Sequence, residues 1–95
     1  IGGGALNTAN APGGVIGGGK SNVANVTSGD GYATIAGGLS NSALNPYSSI
    51  GGGWANTIDA VGYYNTVGGG RVNKILELAS RTTIAGGSNN IANAA

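Results

Sequence analysis

The 95-residue sequence contains no cysteine, no histidine, no methionine and no phenylalanine. Without cysteine there is no disulfide and no thiolate chemistry; without histidine there is no imidazole to serve as general base or metal ligand. Charge is sparse too, with four basic and three acidic residues giving a formal net charge of +1. That leaves neither the basic footprint of a nucleic-acid binder nor an acidic tail. No apolar run approaches the roughly 20 residues needed to cross a bilayer as a helix, so this segment is expected to insert in no membrane. The chain begins at Ile1 and shows no signal peptide, so it reads as a piece of a longer protein.

Glycine is abundant instead: 21 residues, against two prolines, four tyrosines and the single Trp54. The apolar set is mostly Ala, Ile, Val and Leu. A compact domain of this size normally uses larger side chains, because it buries a limited share of its surface. Either the chain is disordered, or it builds order by repetition and assembly.

One stretch invites a different reading. GVIGGGKS, Gly14 to Ser21, matches the phosphate-binding pattern G-x-x-x-x-G-K-[ST]. The mechanism of that motif needs a buried strand before the loop and a helix after it. ANAPGG precedes it and reads as a loop; NVANVTSGDG follows it and is a poor helix. The glycines have another explanation.

IGGGALNTA at residue 1, IGGGKSNVA at 16, IAGGLSNSA at 35, IGGGWANTI at 50, VGGGRVNKI at 67 and IAGGSNNIA at 84 are one motif, [IV]-[GA]-G-G-x-x-N-x-[AI]. Its first column is Ile1, Ile16, Ile35, Ile50, Val67 and Ile84. A glycine column follows at Gly3, Gly18, Gly37, Gly52, Gly69 and Gly86, and another at Gly4, Gly19, Gly38, Gly53, Gly70 and Gly87. The asparagine column is Asn7, Asn22, Asn41, Asn56, Asn73 and Asn90. Two residues later stand Ala9, Ala24, Ala43, Ile58, Ile75 and Ala92. Thr34, Ser49, Thr66 and Thr83 precede the Ile column, with Val15 the exception. Lys20 falls in a variable position shared with Ala5, Leu39, Trp54, Arg71 and Ser88, which removes the phosphate-binding reading.

Glycine clusters this frequent leave no room for helices. The expected fold is all-β: a repetitive β-solenoid, a parallel β-roll of six coils of 15–19 residues forming one repeat domain over residues 1–95. Equivalent residues stack about 4.8 Å apart. Ile and Val ladders fill a dry interior, Asn amides bond to one another, and glycines permit sharp bends. Lys20, Asp30, Asp59, Arg71, Lys74, Glu77 and Arg81 all fall outside these columns and are expected outward. Coil lengths differ by two, which preserves the inside–outside alternation of strands. So thin an interior implies chains sharing a core around an axis as a homotrimer, intertwined or side by side.

At the level of motif, Thr34-Ile35-Ala36-Gly37-Gly38 with Asn41 and Ala43, and Thr66-Val67-Gly68-Gly69-Gly70 with Asn73 and Ile75, resemble the head repeat of YadA-like trimeric autotransporter adhesins, S-V-A-I-G-x-x-A-x-A. They also resemble a variant repeat, S-T-V-G-G-G-x-x-N-T-A-S-G, of bacterial surface proteins and phage-like tail fibres. The resemblance covers essentially the whole chain. It implies a trimer of left-handed parallel β-rolls, located extracellularly on a cell surface or particle fibre and acting in adhesion.

No catalytic, metal or cofactor site is expected. Asp30, Asp59 and Glu77 lie in different coils and different columns, and no serine has a histidine to activate it. The lone GDG at 29–31 lacks the period of calcium-binding repeats, and the NVT sequon at Asn25 carries little weight. If the segment contacts a host or prey cell-surface protein or glycan, the candidate surface-binding residues are Trp54, Tyr32, Tyr47, Tyr63 and Tyr64, because aromatic rings bury large area with few rotors. The bland alternative is that they are outer decorations, or pack over the coil edges against a neighbouring chain. A rival function is a single-chain solenoid binding ice, or another ligand, through a flat hydroxyl face.

Overall fold

The computed structural model describes residues 1–26, 31–60 and 62–94. Asp30, most of the GDG stretch and the Thr of the sequon therefore lie outside the described residues.

Each motif copy after the first supplies two short strands, and the first supplies one, because the residues around Ile and around the following Ala alternate apolar and polar while the glycines between them break the run. In chain order they are β1 (Thr8–Ala9), β2 (Val15–Ile16), β3 (Val23–Ala24), β4 (Thr34–Ile35), β5 (Ser42–Ala43), β6 (Ser49–Ile50), β7 (Thr57–Ala60), β8 (Thr66–Val67), β9 (Lys74–Glu77), β10 (Thr83–Ile84) and β11 (Ile91–Ala94). All pairing is parallel. One sheet has the order β1-β3-β5-β7-β9-β11 and the other β10-β8-β6-β4-β2. The chain is thus a β-solenoid of about five turns. The sixth motif copy, from Ile84, adds β10 and β11 without coming round again. No helix occurs among the described residues.

The register places like on like. Ile16 pairs with Ile35, Ile35 with Ile50, Ile50 with Val67, and Val67 with Ile84. On the facing sheet Ala9, Ala24, Ala43, Ile58, Ile75 and Ala92 run in the same order. These two ladders meet as a single hydrophobic core. The slab they make is thin, with principal extents of 36 × 29 × 14 Å. Lys20, Asp59, Arg71, Lys74, Glu77 and Arg81 are all exposed, as expected.

The expectation of a core shared between chains rested on too few methylenes per coil. The structure corrects that premise. Ile35, Ala43, Ile58, Val67 and Ile75 are wholly buried within one chain. Asparagines occupy the volume that apolar side chains do not: Asn22, Asn41, Asn56 and Asn73 are also wholly buried. Their burial costs little because every amide is bonded; no buried side-chain nitrogen or oxygen among the described residues lacks a partner.

The two glycine columns play different parts. A Cβ added at Gly18, Gly37, Gly69 or Gly86 would meet nothing within 4 Å. Close approach is required one residue later. Gly19, Gly38, Gly53, Gly70 and Gly87 hold φ between 86° and 97°. A Cβ on any of the first four would run into the carbonyl oxygen of the glycine in the next coil. What the earlier column contributes is its carbonyl: Gly18, Gly37, Gly52, Gly69 and Gly86 each accept a bond from the Asn Nδ2 four residues on.

The turn contains an unexpected feature. Leu6, Ser21, Ser40, Ala55, Val72 and Asn89, the residues just before the Asn column, all have φ between 53° and 58°. Only one of the six is a residue type that visits this left-handed region readily. Backbone bonds from the Ser21, Ser40, Ala55, Val72 and Asn89 N–H groups to the preceding coil hold it there, at 2.9–3.0 Å.

Candidate functional site

The two strands of each coil are joined at one edge by the Gly–Asn turn and at the other by the loop of variable length. The candidate residues divide between these edges.

At the Gly–Asn edge, Ala5, Lys20, Leu39, Trp54, Arg71 and Ser88 form a continuous run of parallel bridges. Trp54 stands there, half exposed, with the Arg71 guanidinium carbon 5.2 Å from its ring centre. One face of the indole is therefore occupied by a cation. Lys20, the apparent phosphate-binding lysine, lies on this edge too. Three backbone donors of that stretch are already committed: Gly17 N–H donates to Ile35 O and Lys20 N–H to Gly38 O, both at 2.9 Å, and Ser21 N–H to Ala5 O at 3.0 Å. Strand β3, not a helix, follows.

Beneath this edge runs the Asn ladder. Asn41 Oδ1 accepts from the Asn56 backbone N–H, and Asn56 Oδ1 from that of Asn73; Asn90 bonds to Asn73 in the same way, at 2.9–3.0 Å. Nδ2 of Asn22, Asn41, Asn56 and Asn73 also donates to a glycine carbonyl in the next coil. The ladder fixes the turn against which Trp54 and Lys20 project.

At the loop edge the structure brings the tyrosines together. Tyr47 stacks on Tyr32 with ring centres 5.5 Å apart and planes at 23°, and on Tyr64 at 4.9 Å and 16°. Tyr63 meets Tyr47 edge-on, 6.4 Å away at 86°. The Arg81 guanidinium carbon sits 5.8 Å from the Tyr64 ring centre. Gly13 closes the other end of the row, where a Cβ would be 2.7 Å from Tyr32 Cε1.

Trp54 is thus not part of the tyrosine cluster; the roll separates them. Within the cluster the rings cover one another's faces, so Tyr47 presents its rim rather than a flat platform. The rings pack on one another along one chain, yet they stay at least one-third exposed.

Sequence reasoning missed Arg81 and Gly13. The signal was present: Gly13, Tyr32, Tyr47, Tyr64 and Arg81 each stand two residues before the hydroxyl column of Val15, Thr34, Ser49, Thr66 and Thr83. Counting backwards from that column would have aligned them; counting forwards from the glycines, across loops of unequal length, did not. It also missed buried Asn45, Ser48 and Asn65. Asn45 accepts from Ala60 N–H at 2.7 Å and donates to Ala60 O. Asn65 accepts from Thr82 N–H and donates to Ala79 O, both at 3.1 Å. These two residues tie the loops of successive coils together beneath the tyrosines.

Compared with family models, with curated proteins and with solved structures, the chain matches none of them.

Proposed function

We propose that the chain is a structural and adhesive segment of an extracellular fibre, in which three left-handed β-rolls stand side by side and the fibre mediates attachment to a host or prey cell-surface protein or glycan. The observation that supports this reading best is the uniform register: each coil bonds to the next through the same Ile, Asn and Gly columns. In such a stack, length grows coil by coil while the interior chemistry stays constant, as a spacer requires. The outward positions vary freely, and Trp54 and the tyrosines project from them. Closure of the core within one chain favours rolls lying side by side over intertwined ones.

The native mass in solution, measured by light scattering with circular dichroism on the same peak, tests this. A trimer gives about 27 kDa, three times the 9.0 kDa chain, with a β-rich spectrum. A folded monomer of chain mass overturns the trimeric fibre.

A second reading has one observation in its favour. Thr34, Ser49, Thr66 and Thr83 stack in register on the second sheet, a periodic hydroxyl row of the kind a flat-face or ice-binding solenoid would use. Val15 and Ser49 interrupt the threonines. Thermal hysteresis of the folded monomer would establish it, and its absence would remove it.

A further inference from the structure

Three phenols, one from each of three successive coils, are held in a single stack at the loop edge. Tyr32 is 56%, Tyr47 36% and Tyr64 53% exposed, so a soluble oxidant can reach all three. Tyr47 and Tyr64 are the closer pair, at 4.9 Å, with planes only 16° apart. They also share a backbone conformation, with φ of 57° and 63°, so both side chains leave their coils in the same way. Tyr32 is not in that left-handed region and lies further off, at 5.5 Å. A left-handed φ is unfavourable at a bulky residue; the structure maintains it where the two rings meet.

We propose that Tyr47 and Tyr64 are an oxidative coupling site, joined as an intrachain dityrosine when the protein meets hydrogen peroxide and a haem peroxidase. The peroxidase, oxidised by one molecule of peroxide, takes one electron from each phenol, and each hydroxyl loses its proton. The two phenoxyl radicals carry spin density on the ring carbons ortho to oxygen. One ortho carbon of each ring combines to form a single carbon–carbon bond. Each of those carbons then gives up its hydrogen, and each oxygen regains one, restoring both phenols. In sum, two hydrogen atoms leave the protein and one hydrogen peroxide becomes two waters. Stacking makes the coupling intramolecular, which raises the effective concentration of the second radical far above that of any other chain in solution. The product is a covalent staple between consecutive coils. This goes beyond the fibre reading and does not depend on it.

The test is to treat the folded chain with peroxide and a haem peroxidase. Dityrosine fluorescence is expected on a single-chain species whose mass falls by two hydrogen atoms, with a yield independent of protein concentration and a raised melting temperature. Y47F keeps a ring in the stack and should lose the product; Y64F should lose most of it. Y63F and Y32F should retain it, with circular dichroism verifying the fold of each variant. Undiminished product in Y47F or Y64F, an equal yield in denaturant, or links formed only between chains would overturn the proposal.

Discussion

Asn41 Oδ1 accepts two hydrogen bonds from Asn56, from its backbone N–H at 2.9 Å and its Nδ2 at 3.1 Å. Fifteen residues separate the two in sequence, yet one amide directs the backbone of the next coil. Asn56 repeats the arrangement one coil on, accepting from the Asn73 backbone N–H at 3.0 Å.

Asn56→Ala should therefore cost about 3 kcal/mol or more, because it leaves the buried Asn73 N–H without its acceptor and deprives the Gly52 and Gly70 carbonyls of a donor. Chemical denaturation measures it. A loss below about 1 kcal/mol would mean that water replaces the amide.

Asn56→Asp preserves shape but buries a carboxyl among amides and peptide groups. Desolvation raises its folded-state pKa above the unfolded value of about 3.9. The native state then holds the proton more tightly, so stability falls as pH rises from the unfolded to the folded pKa. The variant should melt higher at about pH 3 than at about pH 7 relative to wild type. Equal differences at both pH values would show that the site is wet.

Neighbouring glycines should respond in opposite ways. At Gly38, with φ of 96°, a Cβ would strike the Gly53 carbonyl and lie 2.7 Å from Asn41 Nδ2. Gly38→Ala should cost about 3 kcal/mol or more. At Gly37 a Cβ meets open space, so Gly37→Ala should stay within about 0.5 kcal/mol of wild type. Thermal melts of the pair would decide, and equal losses would contradict the turn geometry.

Val72 is a β-branched residue at φ 53°. Asparagine, which already fills this column at Asn89, tolerates that conformation. Val72→Asn should stabilise by roughly 1 kcal/mol; a lower melting temperature would show that the valine side chain contributes more packing than its backbone costs.

The stack at the loop edge predicts a graded series. Tyr47 touches three rings, and each aromatic pair is worth about 0.5–1.5 kcal/mol beyond its buried area. Tyr47→Ala should lower stability by about 1–3 kcal/mol and Tyr47→Phe by much less. Trp54→Ala, losing one exposed cation–π contact, should cost under about 1 kcal/mol. A surface-binding role for Trp54 then predicts weaker attachment with little change in melting temperature.

The sequence by itself determined the repeat, the parallel stacking and the inward Ile, Ala and Asn columns. A column of like residues at near-constant spacing has a simple physical solution, in which each lies over its counterpart one coil away; Ile35 over Ile50 and Asn41 over Asn56 were legible for that reason. The outward charges followed from the same alternation. Only the tertiary structure decided how the interior closes. Counting methylenes underestimated it, because buried amides with every hydrogen bond satisfied fill space as well as alkyl groups do. The tertiary structure also put Trp54 on the other edge from the tyrosines and brought Tyr32, Tyr47, Tyr64 and Arg81 into contact as one row, an alignment the sequence carries only when counted back from the hydroxyl column. Those residues sit after loops of different length, so their alignment depends on where each loop rejoins the sheet rather than on their distance from the glycines.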